Sequence, residues 1–133
     1  MNSVLPKPSG YSSVSPYLMV KDALKVIDFL KKVFGAEDLR QHRRPDGLIM
    51  HAEVRIDDTV VMLAESTEDY PAFPAWMHVY VPDVDATYRR ALESGGEPVQ
   101  EPQLQEGDTD RRGGVKDPSG NIWWVATQVK NEA

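Results

Sequence analysis

Two stretches decide the fold: VSPYLMVKDALKVIDFLKKVFG at residues 14–35 and AWMHVYVPDVDATYRRALESGG at residues 75–96. They align without a gap at a constant offset of 61, which sets Val20 on Val81, Asp22 on Asp83 and Gly35 on Gly96. In the first stretch the run Val14 to Val20 has β character, and Pro16 suits a strand start or an edge. Asp22 then precedes Ala23, Val26, Ile27, Leu30, Val33 and Phe34, apolar residues at three- and four-residue spacing that predict a capped amphipathic helix ending at Gly35. The second stretch repeats this, with Val84, Tyr88, Ala91 and Leu92 on one helical face and Gly96 as the stop.

The repeat continues downstream. Leu48 to Ile56, the turn Asp57-Asp58 and Thr59 to Ala64 read as a hairpin. At the same offset Met50 to Ile56 falls on Arg111 to Asp117, and Val60 to Ala64 falls on Asn121 to Val125, with Asp117-Pro118-Ser119-Gly120 as the turn. Each half is therefore a strand, a helix and about three strands, a βαβββ unit, and the pair predicts an α+β domain of eight mixed strands and two main helices. The modules are expected at 13–66 and 74–129 within one domain at 13–129. Residues Glu65 to Ala75, with Pro71 and Pro74, form the linker. Residues 1–12 read as an extended, flexible arm without assigned function, and 130–133 as a tail.

A chain of 133 residues has room for one hydrophobic core. Its 41% hydrophobic and 27% charged residues fit an ordinary globular domain. No apolar run approaches the length of a membrane helix and nothing resembles a signal peptide, so a cytoplasmic location without membrane contact is expected. The absence of cysteine excludes disulfides, thiolate ligands and a cysteine nucleophile. A net charge of −6 argues against nucleic-acid partners, which are held by cationic side chains, and favours a neutral or cationic small molecule.

Beyond the repeat itself, Val20-Lys21-Asp22, Ile27-Asp28-Phe29, Phe34-Gly35-Ala36, His51-Ala52-Glu53-Val54-Arg55-Ile56, Asp110-Arg111 and Asp117-Pro118-Ser119-Gly120-Asn121-Ile122-Trp123 together resemble the vicinal oxygen chelate superfamily of glyoxalases, bleomycin-resistance proteins and extradiol dioxygenases. The resemblance covers residues 13–129 and is nearest to the PhnB-like branch. It implies that the paired modules form a cupped sheet around a cavity, and that the protein is a homodimer. Fold alone leaves the activity open, because that superfamily hosts isomerases, dioxygenases, hydrolases and binding proteins.

In metal-dependent relatives the ligands come from the first and last strands of each module, one His, Gln or Glu apiece. Alignment on the Val-x-Asp signature puts one pair of these positions at Ser15 and Trp76; alignment on the hairpin puts the other at Leu63 and Trp124. Indole and leucine offer no usable lone pair and a lone serine hydroxyl is a poor ligand, so no metal and no cofactor are expected. Strand alternation instead places Trp76, His78 and Tyr80 on one inward face, with Tyr17 and Met19 on another. Trp124 joins them while Trp123 faces the helices. Such a pocket suits a planar or cationic organic ligand through stacking and cation–π contacts, unless the two tryptophans merely fill a collapsed core. Arg111 could clamp a carboxylate or pair with Asp110. Two functions follow: a binding or resistance-type protein with a metal-free aromatic pocket, or a metal-dependent lyase or dioxygenase with relocated ligands, for which His78 and Glu53 are the best donors. His51 and Glu53 share a strand face turned away from Leu63, and the simpler expectation for both is a solvated edge strand. His42 is expected to face solvent.

Overall fold

The computed structural model describes residues 4–132; Met1 to Ser3 of the expected arm and Ala133 of the tail lie outside them. Ten elements follow in order: β1 (Tyr17–Val20), α1 (Ala23–Phe34), β2 (Glu37–Arg43), β3 (Ile49–Ile56), β4 (Thr59–Glu65), β5 (Trp76–Tyr80), α2 (Val84–Glu93), β6 (Glu97–Leu104), β7 (Asp110–Lys116) and β8 (Ile122–Gln128). They make two four-stranded mixed sheets, β1-β4-β3-β2 and β5-β8-β7-β6. In each, the module's first strand runs parallel to its last and the other pairings are antiparallel. The expected α+β architecture of two βαβββ modules is therefore present, with β2 and β6 supplying the strands that the sequence pattern left unplaced.

Register shows where the repeat breaks step. In the first hairpin Ile56 pairs with Thr59, so the turn is Asp57-Asp58, with Asp57 at a φ of 52°. In the second, Lys116 pairs with Ile122, and the Asp117 amide donates to the Asn121 carbonyl, leaving Pro118-Ser119-Gly120 at the tip. The second loop is one residue longer, and every residue beyond it shifts to an offset of 62. Ala52 pairs with Leu63, whereas Gly113 pairs with Val125. The counterpart of Leu63 is thus Val125, and that of Trp124 is Met62. Since side chains alternate across a strand, this one residue decides which face each occupies.

The helix starts confirm the shift. Asp83 caps α2 with its side chain, accepting from the Ala86 amide at 3.1 Å. Asp22 holds the same position but does not cap: its backbone is left-handed, which swings the carboxylate outward to Lys25. The Glu65 carboxylate accepts from the Asp22 and Ala23 amides instead, at 2.8 and 2.9 Å. In the second module the Val84 amide donates to Thr127 Oγ1, and Thr127 is the 62-offset counterpart of Glu65. Both last strands therefore satisfy donors that the first helical turn leaves free. At the other end Gly35 takes the left-handed C-cap of α1, but α2 stops two residues earlier, and Gly95 rather than Gly96 carries the positive φ. Gly96 serves a close approach. A Cβ there would lie 2.8 Å from the Ala91 carbonyl oxygen and 3.0 Å from Phe29 Cε2.

The helix-facing sides of both sheets share one core, which includes Val26, Leu30 and Val33 of α1, Val54 and Leu63 of the first sheet, and Val115, Trp123 and Val125 of the second. Trp123 packs on Phe34 with ring centroids 5.2 Å apart. Its indole N–H donates to the buried carboxylate of Asp117, which also accepts from Asn121 and from the Ser119 amide. From α2, the Arg90 guanidinium donates to the Val33 carbonyl, one of the carbonyls that the end of α1 leaves unpaired. The opposite faces are only partly covered: Val60, Glu53 and Asp110 are buried on them, whereas Tyr17, Trp76 and Tyr80 are exposed.

Candidate functional site

Period-two alternation puts Trp76, His78 and Tyr80 of β5 on the open face of the second sheet, with Trp124 beside them on β8. Trp76 is 72% exposed and Trp124 half-buried. Their rings meet edge to face at 5.6 Å. Trp124 lies across Gly114, its register partner on β7, where an added Cβ would stand 2.7 Å from Trp124 Cζ3. The missing side chain lets the indole lie flat on the sheet. Trp123, as expected, points to the core.

His78 and Tyr80 form a second edge-to-face pair at 4.9 Å and line a cavity of about 420 Å³ with Pro16, Met77 and the Asp57-Asp58 turn. That volume falls within the roughly 300–1,000 Å³ of small-molecule sites. His78 Nε2 lies 3.1 Å from Arg112 Nε. A guanidinium only donates, so His78 accepts there and, when neutral, carries its proton on Nδ1. Burial, and then the charge of Arg112, lowers the His78 pKa against the pull of Asp110 and Asp108, favouring that neutral ring. Arg112 also binds Asp108 and Asp110, and the Tyr80 hydroxyl donates to buried Asp110 at 2.6 Å. This hydrogen bond, followed by desolvation, raises the Tyr80 pKa. The result is an aromatic surface with one oriented N–H donor.

The other expected residues separate from this face. Tyr17 lies on the open face of the first sheet, where its hydroxyl is 2.9 Å from His51 Nδ1. Ser15 precedes β1, and its buried hydroxyl oxygen lacks a partner among the described residues. Leu63 does not line a cup: it is fully buried against the helices because the turn before it is the shorter one, and Met62 takes the open face. Arg111 points to the helix side and forms a two-point ion pair with Asp85 of α2, not with Asp110. Its neighbour Arg112 is the guanidinium of the open face. His51 and Glu53 do face away from Leu63, but they are not on a solvated edge. Strand β3 lies between β4 and β2, and Glu53 is only 4% exposed. His42 is exposed on β2, where its ring stacks on that of His51 with centroids 6.5 Å apart.

Arg112, Met62, Asp108 and Tyr11 are the site residues that sequence reasoning missed. The repeat contained a signal for one of them, since the 61-residue offset carries Tyr17 onto His78 and His51 onto Arg112. Both pairs span the same strands and both are hydrogen-bonded, with the histidine on opposite sides.

A sequence profile of the Glyoxalase/Bleomycin resistance protein/Dioxygenase superfamily matches residues 12–125. The chain belongs to that superfamily. It is similar to the uncharacterized protein Mb0911c of Mycobacterium bovis, with 37% identity over 89% of this chain and 84% of that protein. Among solved structures it resembles TioX from Micromonospora sp. ML1, at 26% identity and a TM-score of 0.69 over 92% of this chain and all of that one. It shares the fold of TnmS3, an antibiotic binding protein from Streptomyces sp. CB03234, at 22% identity and a TM-score of 0.67 over 89% and 99% of the two chains.

Metal-dependent members of the superfamily raise the question whether these residues fit an ion. With the corrected register the four strand positions are Ser15, Met62, Trp76 and Trp124. A thioether is a soft, weak donor and indole has no free lone pair, so the set does not fit a hard or borderline cation. Relocation fares no better. His78 and Glu53 stand on different sheets, each held by its own partners. Among the described residues no group of three His, Asp or Glu side chains is placed to hold a metal ion. No helix among them is long and apolar enough to cross a membrane.

Proposed function

We propose that the protein binds and sequesters a small planar or cationic organic molecule, in the manner of a resistance or carrier protein, on the aromatic face of the second sheet and without a metal. The observation that carries this reading is the Trp76–Trp124 pair. A large, exposed indole held edge to face against a second one that is flat on a glycine offers a stacking platform. The neighbouring His78 Nδ1–H supplies one directional contact. The likeness to an antibiotic binding protein supports the fold's suitability for such a task. Within the superfamily, the Val20-Lys21-Asp22 and His51 to Ile56 motifs favour the PhnB-like branch.

The working form under this proposal is a cytoplasmic homodimer. Trp76, Tyr80, Tyr17 and Met50 are large apolar residues left exposed on the two open faces of a single chain. Contiguous exposed apolar surface of this kind marks an interaction site, and a second copy with its ligand would cover it.

Tryptophan fluorescence quenching by a panel of planar aromatic and cationic compounds tests the reading. Stacking on an aromatic face contributes about 1–3 kcal/mol in nucleic-acid sites, so Trp124→Leu is expected to weaken binding by about tenfold or more. Equal affinity of wild type and Trp124→Leu for every compound that binds would overturn the assignment.

A further inference from the structure

A second constellation lies on the open face of the first sheet. Glu53 is buried there, and its Oε2 accepts from His51 Nε2 at 2.8 Å while Oε1 accepts from the Tyr11 hydroxyl at 2.5 Å. Burial is the largest single influence and would raise its pKa, but the hydrogen bonds from His51 and Tyr11, with the charge of Arg40, together outweigh it and hold Glu53 as a carboxylate. A carboxylate only accepts, so His51 carries a proton on Nε2. Neutral His51 must then accept through Nδ1 from the Tyr17 hydroxyl, 2.9 Å away. A base oriented by a buried carboxylate and bonded to a hydroxyl is the arrangement that activates side-chain hydroxyls in catalysis. Tyr17 also lines a mostly apolar cavity of about 520 Å³ with Met19, Met50, Tyr70, Arg44 and Glu65, whose carboxylate is held by the Asp22 and Ala23 amides. The hydrogen-bonded chain therefore ends on a side chain that borders a cavity of small-molecule size.

We propose that Tyr17, His51 and Glu53 form a proton-accepting site for a ligand that bears an acidic hydroxyl, a phenol or an enol, seated in this cavity. The ligand O–H bond breaks as its proton passes to the Tyr17 oxygen. The proton of Tyr17 moves at the same time to His51 Nδ1. The ligand is left as an oxyanion hydrogen-bonded to the re-protonated Tyr17, and the new imidazolium is held by the Glu53 carboxylate. No redox partner is involved, and protein plus ligand keep the same net charge. Tyr17 is the group that touches the ligand, while Glu53 acts through His51 as a positioning residue. Other charged or titratable groups around His51 are His42 on β2, Arg40 on β2 at 3.9 Å from Glu53, and Tyr11 on the N-terminal arm; Met62 and Ala64 face it from β4. The site shares no residue with the tryptophan face, so either can fail without the other.

The experiment uses 4-nitrophenol, whose phenolate absorbs in the visible, and its methyl ether, 4-nitroanisole, which has no proton to give. Both are titrated into the intact protein across pH, with binding followed by equilibrium dialysis and ionisation by absorbance. Bound 4-nitrophenol is expected to ionise about one pH unit or more below the free compound, a tenfold shift in its proton equilibrium. Tyr17→Phe and His51→Gln should each abolish that shift, and Tyr17→Phe removes only one oxygen from a half-exposed ring. Three results would overturn the proposal: no binding of 4-nitrophenol at millimolar concentration, an unshifted titration in the wild type, or an equal shift in Tyr17→Phe. The last would mean that a nearby cation such as Arg44 stabilises the phenolate without the relay.

Discussion

Replacing Gly114 by alanine separates the aromatic face from the stability of the sheet beneath it. The new Cβ would lie 2.7 Å from Trp124 Cζ3, 2.9 Å from Cε3 and 3.3 Å from Cη2, where ordinary contact begins at 3.4 Å. The indole must lift or tilt away from β7, and its 5.6 Å edge-to-face contact with Trp76 moves with it. Overpacking in a closed core costs about 1–3 kcal/mol. Trp124 is only half-buried and can yield toward solvent, so the cost here should fall at the low end. Removing a glycine from a strand interior contributes about 0.5–1 kcal/mol in the opposite direction. The two nearly cancel, and the melting temperature of Gly114→Ala should stay within about 4 °C of wild type, since ~1 kcal/mol shifts a domain of this size by several degrees at most. Ligand affinity should nonetheless fall by about tenfold, because a stacking platform displaced by part of an ångström loses much of its contact energy. The assay pairs thermal unfolding with fluorescence quenching by whichever compound binds wild type best. Unchanged affinity with an unchanged melting point would refute the claim that Trp124 lying on Gly114 forms the binding surface.

Other outcomes follow from named contacts. Asp117→Ala removes a buried acceptor from the Trp123 indole, Asn121 and the Ser119 amide, and should destabilise the fold by about 3 kcal/mol or more, measured by denaturant unfolding. Glu53 is held below the usual carboxylate value of 4.5, so it stabilises the fold above that pH and ceases to as pH falls through its lowered folded value. Wild type should therefore lose melting temperature more steeply than Glu53→Gln on acidification below about pH 5; parallel curves would contradict this. Elemental analysis after dialysis should find no stoichiometric Zn, Ni, Mn or Fe, and one ion per chain would show that the donor argument fails. Arg111→Ala should leave ligand affinity unchanged, because Arg111 is bound to Asp85 on the helix side.

The sequence by itself determined the two βαβββ modules, their helices and the separation of Trp123 from Trp124. Those features depend on local periodicities of 3.6 and 2 and on one offset, all readable along a single strand of text. Leu63 shows where that reading ends. A constant offset made it the counterpart of Trp124, but one additional residue at Pro118-Ser119-Gly120 shifts the register, and only the paired strands reveal it. Arg111 was likewise the guanidinium that the sequence offered, and the tertiary structure put its neighbour Arg112 in that place by setting Asp85 under the one and His78 beside the other. The Tyr11–Glu53–His51–Tyr17 chain lay beyond the sequence altogether. It joins the N-terminal arm, β1 and β3 across separations of 34 and 42 residues, and no local pattern specifies hydrogen bonds between groups that meet only when the sheet closes. Burial of Glu53 then follows from that meeting, since a carboxylate leaves water at tolerable cost only where several donors await it.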